Sequence, residues 1–137
     1  MTGKEYLSGI KLINIKIQRK ERQIEMLKQM ATDITQTLND MPKADSKDSS
    51  PMANMIIKII DLENEVRELK GILEGKKTEA LSYIFRLEND EYQTVLILRY
   101  LHFMSWESIS NAMHYTKRWL YKMHGTALLL FSAIFDK

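Results

Sequence analysis

Apolar residues in the first forty positions recur in alternating steps of four and three residues. One row repeats every seven residues and has Lys20 as its single polar member: Tyr6, Ile13, Leu27, Ile34 and Met41. A second row runs between its members without interruption: Ile10, Ile17, Ile24, Ala31 and Leu38. Such spacing over about five heptads is typical of a coiled-coil helix. The pattern therefore predicts one long N-terminal helix with a partner along one side.

A second heptad pattern begins after an interruption. Residues 42–52 hold both prolines of the chain and show no apolar periodicity, which predicts a loop. Beyond the loop the coiled-coil spacing returns, with Lys76 as its polar exception: Ile59, Leu62, Val66, Leu69, Leu73, Ala80, Tyr83 and Leu87. Gly71 and Gly75 lie within this segment, and each weakens a helix by about 1 kcal/mol relative to Ala. We therefore expect tertiary packing to support the second helix.

The two heptad segments have similar lengths and opposite charge. Residues 1–41 hold seven Lys or Arg and five Asp or Glu, whereas residues 53–90 hold six and eight. An antiparallel coiled-coil hairpin over residues 1–88 accounts for both facts, and pairing between two chains through one helix each is the open alternative. We expect Lys20 and Lys76 to form one polar level of the hairpin. Their expected partners are Glu21, Glu74 or Glu79.

Residues 89–137 predict a second, smaller helical domain. Asn89 or Asp90 suits an N-cap, and an apolar face follows at Val95, Leu96, Leu98 and Leu101. Ser105 begins the next helix, whose inward residues are Ile109, Ala112 and Met113. After the corner "HYT", Thr116 caps a last helix with the inner stripe Leu120, Met123, Ala127 and Leu128. The chain is therefore expected to be all-α.

The last helix also carries an outward set of residues in its first two turns: Lys117, Arg118, Tyr121 and Lys122. A DNA-recognition helix contacts base edges from its N-terminal turns while the preceding helix crosses the phosphate backbone. Lys and Arg bond guanine edges, and the unbonded amides after the caps Ser105 and Thr116 suit phosphate oxygens. However, three basic residues on an exposed helix are usually a solvated face. Spacing and charge alone leave both interpretations open.

Composition narrows the function classes. The net charge is only +2, the chain has no cysteine, and no apolar run approaches the roughly 20 residues that span a bilayer. We expect a cytoplasmic protein without a membrane segment. His102, His114 and His124 lack metal-ligand spacing, and the chain has no glycine-rich phosphate loop. The sequence therefore predicts neither an enzyme nor a cofactor or metal site.

The stretch "SWESISNAMHYTKRWLYKMHGTALLLF" resembles the helix-turn-helix of region four of bacterial sigma factors. The matching positions include Ser105, Ile109, Thr116, Leu120 and Met123. The whole chain is similar to small phage and prophage proteins of Gram-positive bacteria that carry such a sigma-like helix-turn-helix at their C-terminus. Those proteins are associated with late-gene transcription. The resemblance implies a regulator that binds double-stranded DNA, with RNA polymerase as a possible partner.

Carried over by position, the promoter contacts of sigma factors fall on Lys117, Arg118, Tyr121 and Lys122. Sigma factors mostly have an acidic residue at the position of Arg118 and Gln or a similar residue at that of Lys122, so the usual −35 element is not implied as the target. His114 stands where a glycine often allows a left-handed corner, which predicts a strained or altered turn. Trp119 is expected to pack at the helix junction, with a wedge into DNA as the alternative. Trp106 is expected to pack onto the helix containing Leu101.

A single module of this kind buries only about 600–1,000 Å² on DNA, and three cationic contacts give a salt-sensitive grip. We therefore expect either a homodimer on a two-part site or a chain held near DNA by RNA polymerase. The hairpin and the apolar tail Leu128–Phe135 are the candidate surfaces. Two other interpretations remain: an adaptor that contacts polymerase or another regulator without base readout, and a structural coiled-coil protein of a phage particle.

Overall fold

The heptad segments and the capped segments all become helices. The computed structural model describes residues 1–39 and 49–137, without the side chains of residues 38, 39, 49 and 50. Within that part of the chain there is no strand, which confirms the all-α prediction. The elements are α1 (Gly3–Asn39), α2 (Ser49–Ile84), α3 (Asp90–Leu96), a π-helical turn (Ile97–Leu101), α4 (Trp106–Met113) and α5 (Lys117–Phe135).

The predicted loop over residues 42–52 is wrong at its C-terminal end. Residues 49–52 form the first turn of α2, and Pro51 fits there because the first turn of a helix has no use for backbone N–H groups. The rest of the predicted loop, the heptad position Met41 and the side chain of Leu38 lie outside the described residues. No helix of the described part is both long and apolar enough to cross a membrane.

The chain groups into two units. One comprises Met1–Asn14 together with Ile72–Lys137, and the other comprises Ile15–Gly71. The first unit thus contains one end of each heptad segment as well as the C-terminal helices. The predicted domain limits, 1–88 and 89–137, stay a prediction.

In the unit Ile15–Gly71, α1 and α2 run in opposite directions. Lys28 of α1 pairs with Glu63 of α2 at 3.8 Å, whereas the earlier residues Lys20 and Glu21 pair with the later residues Glu65 at 2.7 Å and Lys70 at 3.4 Å. The buried heptad residues lie between the helices: Ile17, Ile24, Ile59, Leu62 and Val66. Lys20 is half-buried, and its partner is Glu65 instead of the expected Glu21, Glu74 or Glu79.

In the other unit, aromatic side chains join the N-terminal turns of α1 to the end of α5. The ring centroids of Tyr6 and Phe135 are 4.7 Å apart, and Tyr83 lies edge-on to Phe135 at 5.4 Å. The Tyr6 hydroxyl donates a 2.6 Å hydrogen bond to Glu79 Oε1, and burial is the main cause that raises the pKa of Tyr6. Lys76 is exposed, with its amine 5.8 Å from the Tyr6 ring centroid, so it is not a buried polar position as predicted.

The apolar tail is divided between the interior and the surface of this unit. Phe131 is fully buried and Phe135 half-buried, whereas Leu129 and Leu130 are exposed. Of the partner surface expected from the tail Leu128–Phe135, Leu129 and Leu130 are therefore accessible, and Phe131 is not. Gly3 makes the closest approach in this packing, because a Cβ at that position would lie 2.7 Å from Ser132 Oγ and 3.0 Å from Ser132 Cα.

Candidate nucleic-acid interface

Helix α3 and the π-helical turn support the helices of the candidate interface. Asn89 caps α3, since its side-chain oxygen accepts hydrogen bonds from the amides of Glu91 and Tyr92 at 2.8 and 3.1 Å. Three predicted inward residues, Val95, Leu96 and Leu101, are buried, while Leu98 is half-buried. The π-helical turn closes with a 2.9 Å bond from the His102 amide to the Ile97 carbonyl. This turn is followed by Phe103, whose φ of 59° is left-handed.

Helix α4 begins where its sequence indicates. The Ser105 hydroxyl accepts a hydrogen bond from the Ser108 amide at 3.1 Å, which confirms the predicted cap. Ile109 is fully buried and Met113 half-buried, but Ala112 is exposed, so its inward assignment was wrong. Ala112 lies three residues after Ile109, at the edge of a helix too short to bury a broad face.

The corner between α4 and α5 is a left-handed turn at a non-glycine residue. His114 has φ 61° and ψ 37°, and its amide donates to the Ser110 carbonyl at 2.9 Å. The Ser110 hydroxyl donates to the carbonyl of Tyr115 and fixes the other side of the corner. The expected left-handed geometry is thus retained without glycine, at a cost of about 1–2 kcal/mol for an L residue.

Helix α5 presents the predicted outward set on its exposed side. Thr116 caps it by accepting a 3.2 Å hydrogen bond from the Trp119 amide. The buried stripe consists of Leu120, Met123, Ala127 and Phe131, with Leu128 half-buried. The exposed residues of the first two turns include every residue predicted for them: Lys117, Arg118, Tyr121 and Lys122.

Arg118 and Lys122 are the cations that face most directly away from the buried stripe. They lie four residues apart, and each is two positions away from Leu120, so the 100° step of a helix turns them outward. None of the ion pairs among the described residues uses Lys117, Arg118 or Lys122. Three cationic groups therefore lie within the first two turns of one helix and face solvent, an arrangement that attracts a polyanion.

A cluster of aromatic and basic side chains seats α5 on α4 and on the π-helical turn. The Trp106 ring lies edge-on to Tyr121 at 5.3 Å and to His124 at 4.8 Å. The Arg99 guanidinium is 4.7 Å from the Trp106 centroid, and its Nη1 donates to the Met104 carbonyl at 3.0 Å. Trp106 therefore contacts the preceding helical segment, as expected, and in addition holds one edge of Tyr121.

His124 completes this cluster in its neutral form. Its Nε2 is 2.7 Å from the Tyr100 hydroxyl. Burial, followed by the positive charges of Arg99 and Lys4, lowers the pKa of His124 to about 4. The sequence interpretation missed Arg99, Tyr100 and His124. Their spacing holds no signal for this contact, since His124 is 24 residues from Tyr100 and only the fold brings them together.

Trp119 corrects a prediction. It was expected to pack at the helix junction, but the residue is 49% exposed. The reason is helical geometry, because Trp119 precedes the fully buried Leu120 by one 100° step and so lies at the margin of the packed face. Tyr121, 51% exposed, lies on the opposite margin. The outward cations Arg118 and Lys122 are thus flanked by one aromatic side chain on each side.

The remaining predicted residues, Ser105 and Thr116, lie at the starts of two different helices. Each hydroxyl accepts from an amide of its own first turn, which leaves other first-turn amides without an intrahelical partner. Among the described residues no group of three His, Asp or Glu side chains is placed to hold a metal ion.

Comparison of the chain with models of protein families, with curated proteins and with solved structures found no match.

Proposed function

We propose that this chain is a phage- or prophage-type transcription regulator that binds double-stranded DNA through α5. In this proposal α4 and α5 act as a sigma-like helix-turn-helix, and α1 and α2 form a coiled-coil hairpin. The protein acts in the bacterial cytoplasm at late-gene promoters, together with RNA polymerase. The observation that carries the proposal is the exposed row of Lys117, Arg118 and Lys122 in the first two turns of a capped helix.

The chemistry of these side chains divides the contacts. Arg118 and Lys122 face outward and are proposed to bond guanine O6 and N7 in the major groove. Lys117, in the first turn, is proposed to contact phosphate. Tyr121 packs against Trp106 at 5.3 Å, and this contact holds its ring for sugar or thymine methyl. The unpaired amides at the starts of α4 and α5 supply further phosphate contacts.

The resemblance to sigma factor region four supports the class but not the target. Arg118 and Lys122 differ from the sigma pattern at base-reading positions, so the proposal does not take the usual −35 element as the target. Arg118 brings a planar fork that matches guanine, where most sigma factors carry an acidic side chain.

The variant Arg118→Ala/Lys122→Ala tests the proposal. DNA fragments recovered with the purified chain are sequenced, and binding of the enriched duplex is then measured by fluorescence anisotropy. Direct readout predicts a loss of about 1–3 kcal/mol per base-contacting residue, together with a relaxed sequence preference. The control, Arg22→Ala/Lys137→Ala, removes the same charge from exposed positions outside α5. If both variants lose the same affinity for the duplex, the loss is due to net charge and not to contacts of Arg118 and Lys122 with bases. If the wild-type chain binds no duplex, the proposal is refuted.

A second candidate is an adaptor that contacts RNA polymerase or another regulator without reading bases. It is favoured by the exposed apolar side chains on the same helix, namely Trp119, Leu129 and Leu130. If the Arg118→Ala/Lys122→Ala variant retains its DNA footprint and regulation while Trp119→Ala/Leu129→Ala abolishes polymerase binding, the adaptor is the correct function. If Arg118→Ala/Lys122→Ala loses its DNA footprint and Trp119→Ala/Leu129→Ala still binds polymerase, DNA recognition by α5 is the correct function.

A further inference from the structure

The unit Ile15–Gly71 leaves many large apolar side chains in water. It consists of the paired parts of α1 and α2, and two helices can bury only the residues between them. Six large apolar side chains in its described part are more than a third exposed: Met26, Met30, Ile34, Ile56, Ile57 and Ile60. Ile34 belongs to the heptad pattern itself. The heptad seam is therefore only partly covered by the α1–α2 pairing.

The two long sides of this unit differ in chemistry. One side is an open groove of about 400 Å³ with mostly charged walls, where the Glu21–Lys70 and Lys28–Glu63 ion pairs lie. The other side is an open groove of about 250 Å³, which we call the methionine groove. Its lining residues are Gln23, Met26, Leu27, Met30, Lys58 and Leu62. The ion pairs satisfy charged groups of the first groove, whereas the methionine groove leaves Met26 and Met30 at least half exposed. Of the other exposed apolar residues, Ile56 lies in a separate open groove with Ala31 and Met52.

We propose that a second copy of this chain covers the methionine groove, so that two such units form a four-helix assembly. A second copy supplies two helices of matching length with the same uncovered side. Four helices are a common way to enclose an apolar interior from helical hairpins. Met26 and Met30 then lie between the two copies, and their flexible side chains fill the space between the helices. The inference does not depend on DNA binding.

Charge argues for a second copy as the occupant. Lys16 and Arg19 lie on the same side of α1 as Met30 and Met26, since they precede them by fourteen and seven residues, and Asp33, seven residues after Met26, is a carboxylate on that side. Asp61 and Glu68 lie seven residues apart on the corresponding side of α2, next to Lys58 and Glu65. The groove is therefore bordered mainly by cations on α1 and mainly by carboxylates on α2. Two copies that place α1 of each against α2 of the other bring opposite charges together.

The register within the unit predicts one specific pair. The Lys20–Glu65 and Glu21–Lys70 ion pairs bracket Glu68, so Arg19 and Glu68 lie at about the same level. A two-fold axis parallel to the helices brings each α1 against the other copy's α2 at equal level. Arg19 of one copy then faces Glu68 of the other. Neither residue takes part in an ion pair within the described chain, so both are available for this contact.

Sedimentation velocity of the full chain over a wide concentration range tests the surface. The expected result is a dimer for the wild type and a dissociated Met26→Gln/Met30→Gln variant, with the Kd of dimerisation raised at least about tenfold. Gln matches Met in helix propensity, and both positions are exposed, so circular dichroism should show unchanged helix content. The control is Ile57→Gln, an exposed position of α2 two residues before the buried Ile59 and outside the groove. A monomeric wild type overturns the proposal, as does a dimer that Ile57→Gln dissociates and the methionine variant does not.

A charge exchange tests the orientation. Arg19→Glu and Glu68→Arg should each weaken the dimer, because each places like charges opposite one another. The double variant Arg19→Glu/Glu68→Arg should restore it. Restoration supports the two-fold arrangement, and additive weakening in the double variant overturns it. Because these measurements use the chain without DNA, their failure leaves the proposed DNA recognition untouched, and failure of DNA binding leaves them untouched.

Discussion

At the scale of single residues, His114 shows how the corner of the candidate interface is held. Its left-handed backbone, φ 61°, suits glycine or asparagine better than an imidazole side chain. The Ser110 side chain and the Thr116 cap surround this residue and keep the corner in place. The histidine thus occupies a position whose conformation is imposed by its neighbours.

Replacing His114 by glycine should stabilise the fold. Glycine removes the clash of a Cβ in left-handed backbone, and part of the gain is offset by the larger entropy of the unfolded chain. We expect His114→Gly to raise the free energy of unfolding by about 1 kcal/mol in urea titration. His102→Gly serves as the contrasting variant, since His102 has φ −96° and gains nothing from glycine. A destabilised His114→Gly variant would contradict the assigned strain.

His124 makes the stability of the fold around α5 dependent on pH. Its pKa is lowered to about 4 in the fold, against an ordinary value of 6.5, because burial disfavours the charged ring. The unfolded chain therefore binds the proton more readily. The stabilising effect of neutral His124 is complete above pH 6.5 and is lost progressively as the pH falls toward 4.

Thermal unfolding of the wild type and of His124→Gln between pH 7 and pH 4.5 measures this effect. The wild-type Tm should fall more steeply over that interval, since glutamine does not titrate and can still accept from the Tyr100 hydroxyl. Parallel curves would show that His124 is not the group responsible.

At the scale of elements, the helix boundaries follow from local chemistry, and the contacts between helices do not. Ser105 and Thr116 were predictable as caps because each serves amides of its own first turn. The partner of Lys20 was not, because register depends on where the connection begins and ends. With α1 ending at Asn39 and α2 beginning at Ser49, cross-helix pairs are centred near position 44, as the three observed ion pairs are. The predicted loop, 42–52, displaced that centre by about three residues, which places Lys20 opposite Glu74 instead of near Glu65.

In the candidate site too, local features could be predicted from the sequence and contacts between elements could not. The exposure of Lys117, Arg118, Tyr121 and Lys122 follows from helical periodicity on either side of Leu120. The exposure of Trp119 does not follow from periodicity. A large aromatic residue at the margin of the buried face of a helix packs only if a neighbouring element reaches it. The contact of Arg99 with Trp106 depends on the π-helical turn and the left-handed Phe103, neither of which has a clear sequence signal.

The packing of α1 against α5 can be tested with two glycines of the same helix. Alanine at Gly3 would place its Cβ 3.0 Å from the Ser132 Cα atom, so backbone must shift, and we expect Gly3→Ala to cost about 1–3 kcal/mol of stability. Alanine at Gly9 meets no atom within 4 Å, and Gly9→Ala should stabilise the helix by about 0.5–1 kcal/mol. Chemical denaturation of both variants measures the two effects. Equal signs for the two would disprove the close approach at Gly3.

At the scale of the whole molecule, dimerisation and DNA recognition predict a joint result. One α5 with three cationic contacts should give a slope of about −3 for log affinity against log salt concentration. A dimer held at the methionine grooves that engages two half-sites should give about twice that slope. Anisotropy titrations across salt concentrations should therefore show a steeper slope for the wild type than for Met26→Gln/Met30→Gln. Both proteins keep the same α5, so a difference reports the number of helices on DNA. If both slopes are near −3 while the wild type is dimeric, each dimer places a single α5 on its site, and polymerase must supply the remaining specificity.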